Sequence, residues 1–430
     1  MVTAPPKTQS YLGPLLIIGA LFFVFGFVTW VNSVLIAFFK QAFSLSTVGS
    51  NLVAFAFFIS YTLMAIPSSA LLKRTGFKNG MSMGLLVMAV GTVIFVPAAK
   101  IVSYPLFLVG LFLIGIGLTI LQTASNPYAT ILGPRESAAQ RISFLGVANK
   151  LAGIISQFIF GGLLLTGANA VSGTTTLEKV VTPYLILTGV LIVLAGLIRF
   201  SNLPEVSEEQ EDTSTDMTTR TSVWQFPSLV LGVIALFCYV GAEVIAGDTI
   251  INYGKSTDVG IEMQRALAPM LNVLSSLGFG INRNPESLPN YLTVFTLVGL
   301  MTGYILGIAL IPRYISQQTA LRFGALWGLA LTTIALMTSG FTSVLCVALL
   351  GFGLAPIWPA VWPLALNRLG KFTKIGSALL IMGISGGALL PLLHGYLTDT
   401  VSPKMAYTLL LPLFGYILYY AVAGHKKTDW

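Results

Sequence analysis

Two carboxylates five residues apart, Glu243 and Asp248, sit inside one long apolar run, from about Trp224 to Tyr253. A charged side chain at the centre of a membrane helix costs roughly 2.5–3.5 kcal/mol on insertion scales, so such acids point to a task. One lysine, Lys150, lies as deep in a second apolar run, within Gly146-Val147-Ala148-Asn149-Lys150-Leu151. It is too far from either end of that run to reach water by extending its stem, and it needs an anion. The first half of the chain holds two acids, Glu136 and Glu178, both in polar connections. An intramembrane partner for Lys150 must therefore be Glu243 or Asp248, the only acids that can be placed inside an apolar run. One positive and two negative groups leave a net charge of −1 in the apolar interior. An unpaired buried carboxylate takes up a proton or binds a cation. The expectation is that Lys150 pairs with one acid while the other carries H+ or Na+. A permanent ion triad with no such role is the alternative. On an ideal helix the two acids stand about 140° apart. Gly247, with Gly241 and Gly254 nearby, would permit local unwinding, although a continuous helix is the default. Thr249 adds a hydroxyl, so Glu243, Asp248 and Thr249 form a candidate Na+ site, since hard cations take oxygen ligands.

A second set of residues is neutral. Gln122-Thr123-Ala124-Ser125-Asn126-Pro127-Tyr128 places amides and hydroxyls around a proline that frees a backbone carbonyl one turn earlier. Pro356-Ile357-Trp358-Pro359-Ala360-Val361-Trp362-Pro363 is a matching proline-bearing aromatic stretch. Indole faces stack on the C–H faces of a sugar ring, while amides read its hydroxyls. Trp30, Asn32 and Ser33 come from the first apolar run and Asn149 from the run of Lys150. Each alone is more simply interhelical packing; their convergence from separate runs is what favours a binding site for a hydroxyl-rich solute. His394 is read as a packing residue rather than a proton carrier. No metal-ligand cluster, phosphate loop or nucleophile–base pair is present in the sequence, so nothing supports an enzyme.

The elements that must position these groups follow from composition. Hydrophobic residues make up 55% of the 430 positions and charged residues 9%. A soluble domain carries roughly 25% charge, so this is the balance of a polytopic membrane protein. The two cysteines, Cys238 and Cys346, both lie in apolar runs and read as small buried hydrophobes. The formal charge of +8 comes from lysines and arginines in short loops, with no basic stripe for nucleic acid. The first apolar run lacks a small-residue cleavage site and reads as a retained helix, not a signal peptide.

Twelve spans are expected. Six run approximately over Leu12–Phe39, Val48–Leu72, Gly80–Ala98, Pro105–Ile131, Ile142–Leu165 and Pro183–Phe200. Six more run over Trp224–Tyr253, Tyr291–Ile311, Ala320–Thr338, Val344–Leu366, Ile375–Leu397 and Met405–Ala423. The fold class is all-α membrane protein, with two pseudo-symmetric six-helix bundles over residues 1–202 and 223–430 and an acidic linker over 203–222. With both termini inside, fifteen Lys and Arg fall on inner segments and seven on outer ones, so the termini are expected to be cytoplasmic. Within the outer loop Lys255–Pro289, Ala266–Ile281 could lie along the interface or cover a cavity mouth, and a plain surface insertion is equally open.

These residues resemble the major facilitator superfamily. Ser69-Ala70-Leu71-Leu72-Lys73-Arg74-Thr75-Gly76-Phe77-Lys78 is similar to its loop motif G-x-x-x-D-R-x-G-R-K, with Ser69 and Lys73 in place of the first Gly and the Asp. A nearer resemblance, over almost the whole chain, is to the fucose/galactose/glucose:proton symporter family. It is carried by Trp30-Val31-Asn32-Ser33, Gln122 to Tyr128, Phe237-Cys238-Tyr239-Val240-Gly241-Ala242 and Lys374-Ile375-Gly376-Ser377. Asn149-Lys150 and Glu243 to Asp248 resemble the bacterial glucose/galactose branch. The resemblance implies alternating access, a sugar bound between the halves, and Asn32, Gln122, Asn149 and Trp358 at sugar-binding places. Asn126, Trp30 and Tyr239 join them as candidates. It also implies coupling through an acid after the Asn of span one and a Glu in span four, where this chain has Ser33 and Gln122. Coupling would then rest on Glu243, Asp248 and Lys150. The resulting expectation is an importer of a hexose or hexose derivative driven by H+ or Na+, in a bacterial inner membrane. It would work as a monomer among membrane lipids, with a sugar as its small-molecule partner and no organic cofactor. A sugar uniporter and an exporter of the same fold are the alternatives.

Overall fold

A computed structural model describes residues 12–131, 138–165, 174–201, 220–276, 283–311, 313–367 and 369–430. Among them every regular element is helical. The first half comprises α1 (Leu12–Ala42), α2 (Thr47–Val93), α3 (Phe95–Lys100), α4 (Tyr104–Ile131), α5 (Ala138–Ser156) and α6 (Thr174–Phe200). A π-helical segment, Gln157–Leu165, continues α5 to the length of a span. The helix α2 holds spans two and three, joined at Gly76, whose φ of 76° and ψ of 167° suit only a residue without a side chain. The loop motif thus turns the chain at its glycine. Among the described residues eleven apolar helices are long enough to cross a membrane, and the 54-residue one, divided at Gly76, makes twelve.

The second half comprises α7 (Pro227–Asp248), α8 (Ile250–Ser256), α9 (Gly260–Ser276), α10 (Leu292–Leu310), α11 (Gln317–Met337), α12 (Gly340–Leu354), α13 (Ile357–Leu366), α14 (Thr373–Met382), α15 (Gly386–Thr400) and α16 (Leu410–Val422). Span ten is α12 with α13, interrupted where Pro356 has no amide to donate. Span eleven is α14 with α15, joined by a short 3-10 turn. The amphipathic piece of the long loop is a helix, α9, which starts at Gly260, six residues before the expected Ala266. Its Glu262 accepts from the Phe341 amide at 2.7 Å, at the start of α12, so α9 is tied to span ten. None of its residues lines the central cavity. The expected linker 203–222 lies outside the described residues apart from 220–222.

The halves repeat their packing. Spans one and five meet at Gly26, where a Cβ would run into the Asn149 backbone, and spans seven and eleven meet at Gly241, against Leu390. Spans two and four meet at Gly115, against the Phe57 carbonyl, and spans eight and ten at Gly351, against the Thr296 carbonyl. Close backbone approach at small residues replaces the hydrophobic drive that lipid cannot supply.

At the end of the bundle away from the termini, hydrogen bonds join the two halves. The Asp399 carboxylate accepts from the Thr47 and Val48 amides, 3.0 Å each, at the first turn of α2. Asn51 donates to the Pro391 carbonyl at 2.6 Å, and Asn290 to the Leu165 carbonyl at 3.4 Å. Span eleven is expected to end at Leu397 and span six to begin at Pro183, but α15 runs to Thr400 and α6 begins at Thr174, which puts Asp399 and Glu178 near the ends of spanning helices, so Glu243 and Asp248 are not the only acids in the spanning helices and Glu178 is not in a connection.

Candidate functional site

The central cavity, about 140 Å³, is lined from spans one, two, four, five, seven, eight, ten and eleven. Its charged floor is the Lys150–Glu243 pair, with Nζ 2.8 Å from Oε1 and side chains 8% and 12% exposed. Lys150 also stands 4.5 Å from the centre of the Trp30 ring. That ring is held on both sides, because a Cβ at Gly153 or at Gly247 would strike it. A carboxylate and an indole face, the latter fixed by two helix backbones, therefore flank the ammonium. The Tyr239 hydroxyl faces Glu243 and Tyr304 from the other side.

Asp248 is in a different position. It is 2% exposed and lines the same cavity. Neither an ion pair nor a hydrogen bond reaches its carboxylate from the described residues. The helix is continuous through both acids and stops immediately after Asp248. Positions 239, 240, 243, 244 and 248 of α7 all line the cavity. At about 100° per residue these positions span about half of the helix circumference, which is how acids some 140° apart reach one space. The chain bends at Thr249 and resumes as α8 at Ile250. The Thr249 hydroxyl donates to the Ile245 carbonyl at 2.7 Å and lies 3.1 Å from the Tyr407 hydroxyl, and Thr249 does not line the cavity.

The neutral set is largely brought together. Gln122 and Asn149 line the cavity, the first donating to the Tyr61 hydroxyl at 3.1 Å and the second to the Phe22 carbonyl at 3.3 Å. Trp358 lines it too, 6.2 Å from the Tyr239 ring and stacked on Trp362 at 5.5 Å. Asn32 is 1% exposed with both amide atoms unpartnered. It lies one turn beyond the stripe of Phe22, Phe25 and Thr29 that lines the cavity, but is not itself part of the lining. The Asn126 side chain lies outside the described residues. Ser33 is taken up by structure: its hydroxyl donates to the Trp30 carbonyl at 2.8 Å and accepts from Gln157 at 2.9 Å.

A match to the model of the major facilitator superfamily covers residues 18–390. The chain belongs to the major facilitator superfamily. It is a multi-pass membrane transporter and not an enzyme. Among superfamily relatives, the glucose/galactose transporter of Brucella abortus is 32% identical over 99% of this chain and 97% of its own length. The L-fucose-proton symporter of Escherichia coli is 28% identical over 91% of this chain and 88% of its own. A crystal structure of the E. coli fucose:proton symporter superposes with a TM-score of 0.72 at 26% identity, over 96% of this chain and 98% of that one.

Sequence reasoning missed Tyr61, Tyr304, Phe58 and Thr29, which also line the cavity. A tyrosine in an apolar run carries no charge and no spacing signal. Tyr61 and Tyr304, each the one tyrosine of its helix, are those that could have been singled out.

Proposed function

We propose that this chain imports a hexose or hexose derivative by alternating access, coupled to H+ or Na+, with Asp248 as the ion-binding acid. The observation that carries the coupling is the division of labour between the two acids. Glu243 has a cation, while Asp248 faces the cavity with no partner among the described residues. A buried carboxylate without a partner is stable only when protonated or cation-bound, so occupancy of Asp248 is linked to the state of the cavity.

The sugar reading rests on the named relatives and on the lining. A cavity of about 150 Å³ takes up a benzene ring, so the 140 Å³ here is nearer one ring than a whole hexose and would widen to take the sugar. Trp358 and Tyr239 offer ring faces; Gln122 and Asn149 offer amides. Asn32 and Asn126 remain assigned to the sugar site in this reading, and Thr249 to a Na+ site with Asp248. In a bacterial inner membrane with cytoplasmic termini, the end joined by Asp399 would be the outer one, so this state is closed to the outside. The chain would act as a monomer.

The test is uptake of labelled glucose, galactose, fucose, mannose and N-acetylglucosamine into proteoliposomes, with H+ and Na+ gradients imposed separately. One gradient should drive accumulation of one sugar, and Asp248→Asn should reduce this to exchange. Uptake indifferent to both gradients would identify a uniporter, the reading that Ser33 and Gln122 favour.

A further inference from the structure

We infer that Thr293 and Thr296, on the first turns of span eight, are positioning residues for Asp248, holding span seven broken at the point where that carboxylate enters the cavity. This rests on the assignment of ion binding to Asp248. The backbone ladder of span seven is interrupted between the end of α7 at Asp248 and the start of α8 at Ile250. Two carbonyls face across that interruption. Gly247 O accepts from the Thr293 hydroxyl at 2.7 Å, and Ala246 O from the Thr296 hydroxyl at 3.3 Å. Both threonines are fully buried.

Helix ends leave carbonyls without intrahelical partners, and inside a membrane each must be satisfied by protein. A hydroxyl from a neighbouring helix meets that need without adding charge. The two threonines thus make the end of α7 stable where it is, and the next residue, Thr249, carries the bend. From the opposite side the Trp30 ring packs on Gly247, where a Cβ would clash with it. Span one and span eight therefore grip the residue just before Asp248 from two directions. The same Trp30 ring carries the Lys150 ammonium. Any shift in the last turn of α7 would move Asp248 relative to the cavity and to that ammonium together.

Removing a hydroxyl while keeping the shape tests this. Thr293→Val leaves Gly247 O without a side-chain donor, and the turn relaxes towards a continuous helix. The concentration of the coupling cation that gives half-maximal sugar uptake should rise roughly tenfold, the equivalent of one lost hydrogen bond. Binding of the sugar to purified protein should stay within about twofold, well under the tenfold cation effect. Thr293→Ser, which restores the donor, should restore the cation dependence. Thr296→Val, at the longer contact, should shift it in the same direction by less, and it provides the measurement if Thr293→Val does not fold. A loss of thermal stability with unchanged cation dependence would make the threonines merely structural and overturn the proposal. So would a serine variant that behaves like the valine one. Asp248→Asn separates the two levels. If it keeps cation-driven accumulation, the assignment of Asp248 fails. If it loses accumulation while Thr293→Val and Thr296→Val match the parent, only the positioning role fails.

Discussion

Lys150→Met tests the paired half of the site. It leaves Glu243, 12% exposed at its side chain, without its cation. Removing one member of a buried pair typically costs about 3–5 kcal/mol. A second route gives a similar figure: protonating a carboxylic acid of ordinary acidity, pKa about 4.3, at pH 7 costs about 3.7 kcal/mol. That would be a large part of the roughly 5–15 kcal/mol that holds a typical domain together. Glu243→Gln should cost less. The ammonium left behind keeps the Trp30 face at 4.5 Å, worth about 0.5–2 kcal/mol, and shares its cavity with Asp248 of α7. The double variant should recover most of the Lys150→Met loss, because replacing both partners by neutral groups is often close to neutral. The assay is a double-mutant cycle on thermal unfolding of the purified protein in detergent, repeated at pH 7 and pH 5. A coupling of at least about 2 kcal/mol at pH 7 is expected. Because protonation becomes cheaper as pH falls, the Lys150→Met deficit should shrink at pH 5 to about 1 kcal/mol. Losses that simply add, within about 0.5 kcal/mol, would refute the view that each group is tolerated because of the other.

Other perturbations reach the rest of the molecule. Asp399→Asn removes the charge that the first turn of α2 receives from span eleven. At about 0.3–1 kcal/mol for a carboxylate at an exposed helix start, the closed state should lose about two- to fivefold in population. With Cys238 and Cys346 replaced by alanine and Val240→Cys as reporter, faster modification by an impermeant thiol reagent added from the far side should show this; an unchanged rate would deny the latch. Gly26→Ala should separate spans one and five, since its Cβ would meet the Asn149 backbone, and should lower thermal stability by about 1–3 kcal/mol. Trp358→Ala and Gln122→Ala should each raise the sugar KM by roughly tenfold, with cation dependence unchanged. A shift in cation dependence from either would place them in coupling instead.

Charge arithmetic made much of this site legible. The lack of any acid deep in the first-half spans, Glu178 standing only at the very start of span six, pointed Lys150 to span seven, and the count of one cation for two acids required one acid to stand apart. Choosing Glu243 as the partner needed helix rotation: Lys150 and Glu243 meet only because α5 and α7 present those faces to the same cavity. The bend at Thr249 was hidden for another reason. Glycines in the sequence mark where a helix is allowed to break, but the donors that stabilise the break, Thr293 and Thr296, come from another span. Asp399 was missed because a span edge in a hydropathy reading is uncertain by about a turn, and its role depends on which side of that edge it falls. The glycine contacts had no signal beyond composition, since 43 glycines are spread along the whole chain.

The repeat relation explains why the acid stands in the second half. Offsetting span seven from span one by 215 pairs Gly26 with Gly241 and Ser33 with Asp248, since 241 − 26 and 248 − 33 are equal. The two glycines occupy equivalent places, against spans five and eleven. Their partners therefore lie at equivalent depths, seven residues further along each helix. At that depth span one has a neutral hydroxyl, already bonded to the Trp30 carbonyl and to Gln157. A carboxylate there would lose the donation that Ser33 makes to Trp30 and would set a charge beside a carbonyl oxygen. Span seven has the reverse: a carboxylate with no partner among the described residues, and carbonyls already satisfied by threonine hydroxyls. The resemblance of this chain to proton symporters implies an acid at the span-one position. Here that slot has been closed by hydrogen bonds, and its symmetry mate has been left open. A chain that couples through Asp248 needs no acid at Ser33, and Ser33→Asp should then destabilise the fold rather than strengthen coupling, a result that uptake and thermal unfolding of the same variant would decide.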